Sequence, residues 1–194
     1  ASYDLAELVP YIDWTPFFMA WELAGKFPRI LEDEVVGKQA TQLYADAQKM
    51  LDRLVKEQWI QAHGIAGILP ANTVAHDDIE IYADASRTKL LGRFHTLRQQ
   101  SKKAPGVPYL ALADFIAPAG TPDFLGGFAV SAGHGVEERV KRFEAAHDDY
   151  SAILLKALAD RLAEAFADKL HEVVRQELWG YETARLTNEQ LIKE

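Results

Sequence analysis

No cysteine occurs among the 194 residues. A disulfide framework, a thiolate nucleophile and a Cys-ligated metal or iron–sulfur site are therefore excluded. The absence suits a reducing compartment. Positive charge is also in short supply, with 21 Lys and Arg against 29 Asp and Glu and a net charge of -8. No basic block or basic helical face stands out, which disfavours nucleic acid and anionic membrane as partners. No apolar run approaches the roughly 20 residues that a membrane helix needs. The first residues, ASYDLAELVP, are acidic and lack an apolar core flanked by Lys or Arg, so they do not read as a signal peptide. A soluble, cytoplasmic protein is expected.

Several catalytic motifs are missing too. There is no Walker loop, GxGxxG or GxSxG. The Gly-rich stretch LGGFAVSAGHG lacks the lysine and spacing of a phosphate loop. None of the 6 histidines forms an HExxH pair. His76-Asp77-Asp78 and His147-Asp148-Asp149 are the nearest approaches to a metal cluster. A polar turn and a helix start explain them better, because Asp satisfies the free N–H groups there. No metal site is expected.

What is present reads as a folded α+β chain. Hydrophobic residues make up 48% and charged residues 26%, which rules against disorder. The front end, YIDWTPFFMAWELAGKFPRILEDE, is aromatic and interrupted by Pro16 and Pro28. A helix from Pro16 to Gly25 is predicted, with Thr15 as N-cap. Val36, Ala40, Leu43, Ala47, Leu51, Leu54 and Val55 recur at three- and four-residue steps, predicting a helix from Val36 to Gln58. Strands are predicted at Ile65–Leu69, Asp78–Tyr82, Leu90–Leu97, Tyr109–Asp114 and Phe124–Val130, joined by turns such as KKAPGVP and APAGTPD. Such an order favours an antiparallel sheet. A long helix follows from Asp149 to Trp179, with Ile153, Leu154, Leu158, Leu162, Phe166, Leu170 and Val173 on its apolar side. Thr187 to Gln190 read as a capping box opening a last helix. One α+β domain is expected.

Two carboxylates stand out. Asp13 lies among Tyr11, Ile12, Trp14, Phe17 and Phe18. A carboxylate in aromatic surroundings is paired, capping or functional, because burying it alone is costly. Capping of the following helix is the simpler role. Glu164 shares the polar side of the long helix with Asp160, Arg161, Asp168 and His171, as an ordinary solvated face would. Asp160, Glu164 and Asp168 are like charges at i,i+4, each pair costing about 0.2–0.5 kcal/mol. A cation nearby, either Arg161 or a cationic ligand, would remove that cost.

Four stretches together resemble the activation domain of cobalamin-dependent methionine synthase. They are YIDWTPFFMAWELAGKFPRILEDEVVG, ILPANTVAHDDIEIY, LRQQ followed by LADFIAP, and HDDYSAILLKALADRLAEAFADKLHE. They follow the family's order and cover nearly the whole chain, and Arg87 in DASRT fits the pattern as well. The resemblance implies a C-shaped single α+β domain, with a bent antiparallel sheet flanked by long helices. It implies S-adenosylmethionine as ligand and reductive methylation of cob(II)alamin to methylcobalamin as the supported reaction. The cobalamin would be held by a separate domain, and flavodoxin or a similar reductase would deliver the electron.

S-adenosylmethionine carries a sulfonium, an ammonium and a carboxylate. Its site needs carboxylates for the cations and an arginine fork for the carboxylate. The sulfonium is already a good leaving group, so positioning matters more than acid–base chemistry, and no general acid or base is assigned. By resemblance, Asp13 in DWTPFF, Glu164 in ADRLAEAF and Glu194 are the ligand-binding residues. The family pattern continues into an RPAPGYPACP-like arginine loop and a final segment with a tyrosine pair. Residues 1–194 do not include them, so the isolated chain is expected to be inactive. An alternative reading is a ligand-free interaction module that docks on a cobalamin-binding protein or on a split partner chain. A stand-alone hydrolase or metal enzyme is disfavoured by the missing motifs.

Overall fold

The computed structural model describes residues 2–182. The capping box at Thr187 to Gln190 and the candidate Glu194 lie outside the described residues. The chain divides into two compact units. One takes the chain up to Ile65 and from Ala129 onward, and the other is Ala66–Phe128.

The first unit opens with strand β1 (Ser2–Tyr3) and helix α1 (Leu5–Leu8). Asp4 caps α1 by accepting the Ala6 N–H at 2.9 Å. A 3-10 turn over Val9–Tyr11 leads to helix α2 (Trp14–Ala20). Helix α3 spans Gly37–Lys56, close to its predicted bounds, and buries Ala40, Leu43, Ala47, Leu51 and Leu54 at the predicted steps. Asp33 prepares its start by accepting the Val35 and Val36 N–H groups at 2.9 and 3.0 Å. Those two N–H groups also hold its carboxyl below the usual carboxylate range.

Helix α2 begins and ends earlier than the sequence predicts. Asp13, not Thr15, is the N-cap, and the Thr15 N–H donates to its Oδ1 at 2.9 Å. The Thr15 hydroxyl instead accepts the Phe27 N–H at 3.3 Å. The helix stops at Ala20, well before Gly25, because the chain must turn back to bring Phe27 into an aromatic cluster. Trp14, Phe17, Phe18, Phe27 and Tyr44 form that cluster. Trp14 packs edge-on against Phe17 and Tyr44 at 5.3 and 4.9 Å, and Phe27 meets Tyr44 at 5.2 Å.

Helices α4 (Val136–Ala145) and α5 (Asp149–Val173) complete this unit, followed by a π-helical turn over Val174–Leu178. Helix α5 is its centre and packs on α1, α2, α3, α4 and the Val9–Tyr11 turn. Its buried side includes Leu154, Leu155, Leu158, Leu162, Phe166 and Leu170. Ile153, predicted to face inward, is 53% exposed. Leu155 takes that place, since a helix packed by several neighbours buries a broader and differently centred stripe.

Strand β2 (Gln61–Val74) and strand β5 (Phe124–His134) run from one unit into the other, and they pair with each other. Strand β1 pairs antiparallel with β2, Ser2 opposite His63. The predicted stop signals of β2 do not end it. Gly64 is needed for space, because a Cβ there would lie 2.6 Å from the Cζ of the buried Phe166. Pro70 falls just before pairing with strand β3 (Asp78–Tyr82) begins at Ala71, so its missing N–H costs no bond of that ladder.

In the second unit, β3 also pairs antiparallel with strand β4 (Leu90–His95). The order β1-β2-β3-β4, with β5 on β2, makes a five-stranded sheet among the described residues, and the fold is α+β as expected. Ala71, Ile79, Ile81 and Ala113 form the small core, with Ile116 and Leu125 against it. Strand β4 stops at His95, because both the N–H and the hydroxyl of Thr96 turn to the Asp77 carbonyl.

Tyr109–Asp114 is not a strand. It ends in a 3-10 turn over Leu112–Phe115. Arg98 draws the segment in through the Tyr109 carbonyl at 2.6 Å and the Asp114 carboxylate at 2.8 Å, while also pairing with Asp77. That guanidinium holds the Asp114 carboxyl down to about 2. Arg87 has a similar internal task. It donates to Asn72 at 2.9 Å and to the Asp123 carbonyl at 2.9 Å. Buried Asn72 in turn donates to the carbonyls of Ala117, Pro118 and Thr121.

Gly64→Ala is expected to destabilise the protein by about 1–3 kcal/mol, as overpacking of a filled core does. Urea denaturation measures it, and adding Phe166→Leu should return part of the loss.

Candidate functional site

The connector from Val9 to Asp13 crosses the side of α5. Ile12 and Trp14 are buried and bracket Asp13, which is itself exposed. This alternation follows from one short polar side chain between two large apolar ones. The packing of the apolar pair fixes where the carboxylate sits. Its Oδ1 accepts the Thr15 N–H, and a carboxylate has capacity left for further donors.

Tyr11 anchors the other end of the connector. Its hydroxyl donates to Glu172, and Lys169 pairs with the same carboxylate at 3.0 Å. The Lys169 ammonium also lies 5.3 Å from the centre of the Tyr11 ring. Burial, then the Glu172 hydrogen bond, pushes the Tyr11 phenol up. The bonds to Glu172 and Tyr11 outweigh burial at Lys169 and push its ammonium above the ordinary lysine range. The lysine thus stays charged, and its charge is directed to Glu172.

One turn back along α5 the balance is different. Burial, then the charge of Glu164, then that of Asp13, pushes the Asp168 carboxyl up. The three carboxylates therefore share one field, brought together from two elements. Asp13 and Glu164 are exposed and Asp168 is half-buried. Arg161 does not relieve them, because it pairs with Asp160 at 2.6 Å. Among the described residues, no ion pair joins a cation to Asp13, Glu164 or Asp168.

Two of the predicted site residues, Asp13 and Glu164, thus come into one electrostatic neighbourhood. Glu194 lies outside the described residues. Asp168, which the sequence pattern places on an ordinary solvated face, joins Asp13 and Glu164. Its signal was the second like-charge step, Glu164 to Asp168, but nothing in the sequence showed that Asp13 would cross at that turn. A cation beside these carboxylates would lower the repulsion between them. No group among them has the nucleophile-and-base arrangement of covalent catalysis.

No helix among the described residues is long and apolar enough to cross a membrane. No group of three His, Asp or Glu side chains among them is arranged so that it could hold a metal ion.

A family model described as the vitamin B12 dependent methionine synthase activation domain matches residues 4–194. A solved structure, the MetH reactivation domain bound to AdoHcy, is 52% identical in sequence and superposes with a TM-score of 0.93. The match covers 100% of this chain and 60% of that one. In sequence and fold alike, the chain belongs to the vitamin B12 dependent methionine synthase activation-domain family.

Proposed function

We propose that this domain binds S-adenosylmethionine and supports reductive methylation of cob(II)alamin to methylcobalamin within a B12-dependent methionine synthase. The observation that carries the reading is the group of Asp13, Glu164 and Asp168, which no ion pair joins to a cation among the described residues, in a chain 52% identical to a reactivation domain bound to AdoHcy. AdoHcy is what S-adenosylmethionine becomes when its methyl group leaves. The two differ at sulfur, a cationic sulfonium in one and a neutral thioether in the other.

The roles of the residues follow from charge. Asp13, fixed by its cap and by Ile12 and Trp14, accepts from the ligand's ammonium or faces its sulfonium. Glu164 and Asp168 add negative potential on the α5 side. Glu194 is a further ligand carboxylate by family resemblance. When the methyl group leaves, the ligand loses one positive charge, and its attraction to the cluster weakens. The cluster therefore favours substrate over spent product without any proton transfer. Cobalamin, on a separate domain, supplies the cobalt centre that accepts the methyl group. Flavodoxin or a similar reductase supplies the electron. The whole enzyme is a cytoplasmic methyltransferase in this reading.

Calorimetric titration of the full-length enzyme tests the assignment of Asp13. Asp13→Asn is expected to weaken S-adenosylmethionine by about 10-fold or more, the scale of a lost charged hydrogen bond. It should weaken AdoHcy less. Equal losses for both ligands would show that Asp13 acts only as a helix cap.

Asp168→Asn is expected to act in opposite directions on two measurements. Removing a like charge at i,i+4 should raise the melting temperature of the ligand-free protein by about 1 °C. The same change should lower S-adenosylmethionine affinity about 5-fold, as the loss of one screened charge does. A fall in both quantities would assign Asp168 to structure alone.

A further inference from the structure

Two histidines outside the acidic cluster meet across neighbouring strands of the first unit. His63 comes from β2 and His134 from β5, and their rings stand 4.8 Å apart, centre to centre, at 83°. Both line one surface hollow with Gly64, Ile65, Ala129 and Ser131. His63 is half-buried and His134 exposed, so the hollow is open to solvent.

The ring spacing fits a shared metal ion. With metal–nitrogen bonds of about 2.0–2.1 Å and an angle between square and tetrahedral, two imidazole centres lie roughly 4.5–5.2 Å apart. A second contact orients the His63 ring. His63 Nε2 lies 3.3 Å from Gln61 Oε1, and an amide oxygen can only accept. In the tautomer whose Nε2–H donates to that oxygen, Nδ1 carries the lone pair. Orientation of a ligating imidazole by a hydrogen bond from its other nitrogen to an oxygen is the usual outer-shell device of metal sites.

We infer that His63 and His134 form a two-imidazole clamp for a borderline divalent transition ion, with Zn2+ as the representative and water completing the coordination. Imidazole suits zinc, copper and nickel, whereas magnesium and calcium prefer oxygen. Two protein ligands hold such an ion less tightly than the three or four of dedicated sites. The clamp joins β2 to β5 by their side chains, so an ion there cross-links two strands of the sheet.

The experiment is calorimetric titration of Zn2+ into the chelator-treated chain at pH 7.5, with the imidazole C–H resonances followed by NMR. One saturable site is expected, with the His63 and His134 resonances shifting together and those of the other four histidines still. His134→Phe keeps the edge-to-face ring contact but removes a ligand, and it should abolish the site while the melting temperature holds. Gln61→Leu should weaken it about 10-fold by releasing the His63 ring. His147→Asn should leave it unchanged. No saturable site, or one that survives His134→Phe, overturns the proposal and leaves the pair as an aromatic contact.

Discussion

The packing of the Val9–Asp13 connector along helix α5 determines where charge collects in the first unit. Two large apolar residues, Ile12 and Trp14, go inward, and Asp13 between them has no freedom to leave. On the helix, Glu164 and Asp168 face the same region one turn apart. Like charges at this spacing oppose folding by a few tenths of a kcal/mol. The fold accepts that cost because the same helix buries a long apolar stripe, from Leu154 to Leu170, against four other helices. A repulsion of that size is small beside the burial of even one leucine, worth about 1.5–3 kcal/mol.

The neighbouring turn of α5 shows the opposite arrangement. There Lys169, Glu172 and Tyr11 satisfy one another at close range. The positive charge nearest the cluster along the helix is thus held by a partner of its own. The connector is pinned at Tyr11 by a balanced pair and presents Asp13 in an unbalanced field. A ligand with positive charge, as proposed, would balance these carboxylates. With a ligand that loses a charge on reacting, as proposed, that attraction would separate substrate from product without proton transfer.

Much of this was legible in the sequence, and the parts that were not have physical reasons. Helix α3 followed its apolar period almost to the residue, since one face is buried and the other wet. Asp13 drew notice because a short acid among aromatics needs an explanation, and it caps helix α2, the simpler of the two roles. Glu164 drew notice through its like-charge neighbours. Asp168 required the crossing of the connector, which is a long-range fact. Local patterns also misled where side chains overrode them. Arg98 pulled Tyr109–Asp114 out of strand geometry, and Thr15 gave its hydroxyl to Phe27 instead of the helix. Gly64 and Pro70 looked like strand ends. One is a space for Phe166, and the other sits where the ladder needs no N–H.

Asp13, Glu164 and Asp168 act on one another only if they share one field. Carboxyl-carbon NMR of Asp168 across an acid titration tests this most directly. The predicted result is an Asp168 midpoint above the ordinary aspartate value of about 3.9, falling in Asp13→Asn and again in Glu164→Gln. An Asp168 that titrates at or below the ordinary value, unmoved by either substitution, would contradict it.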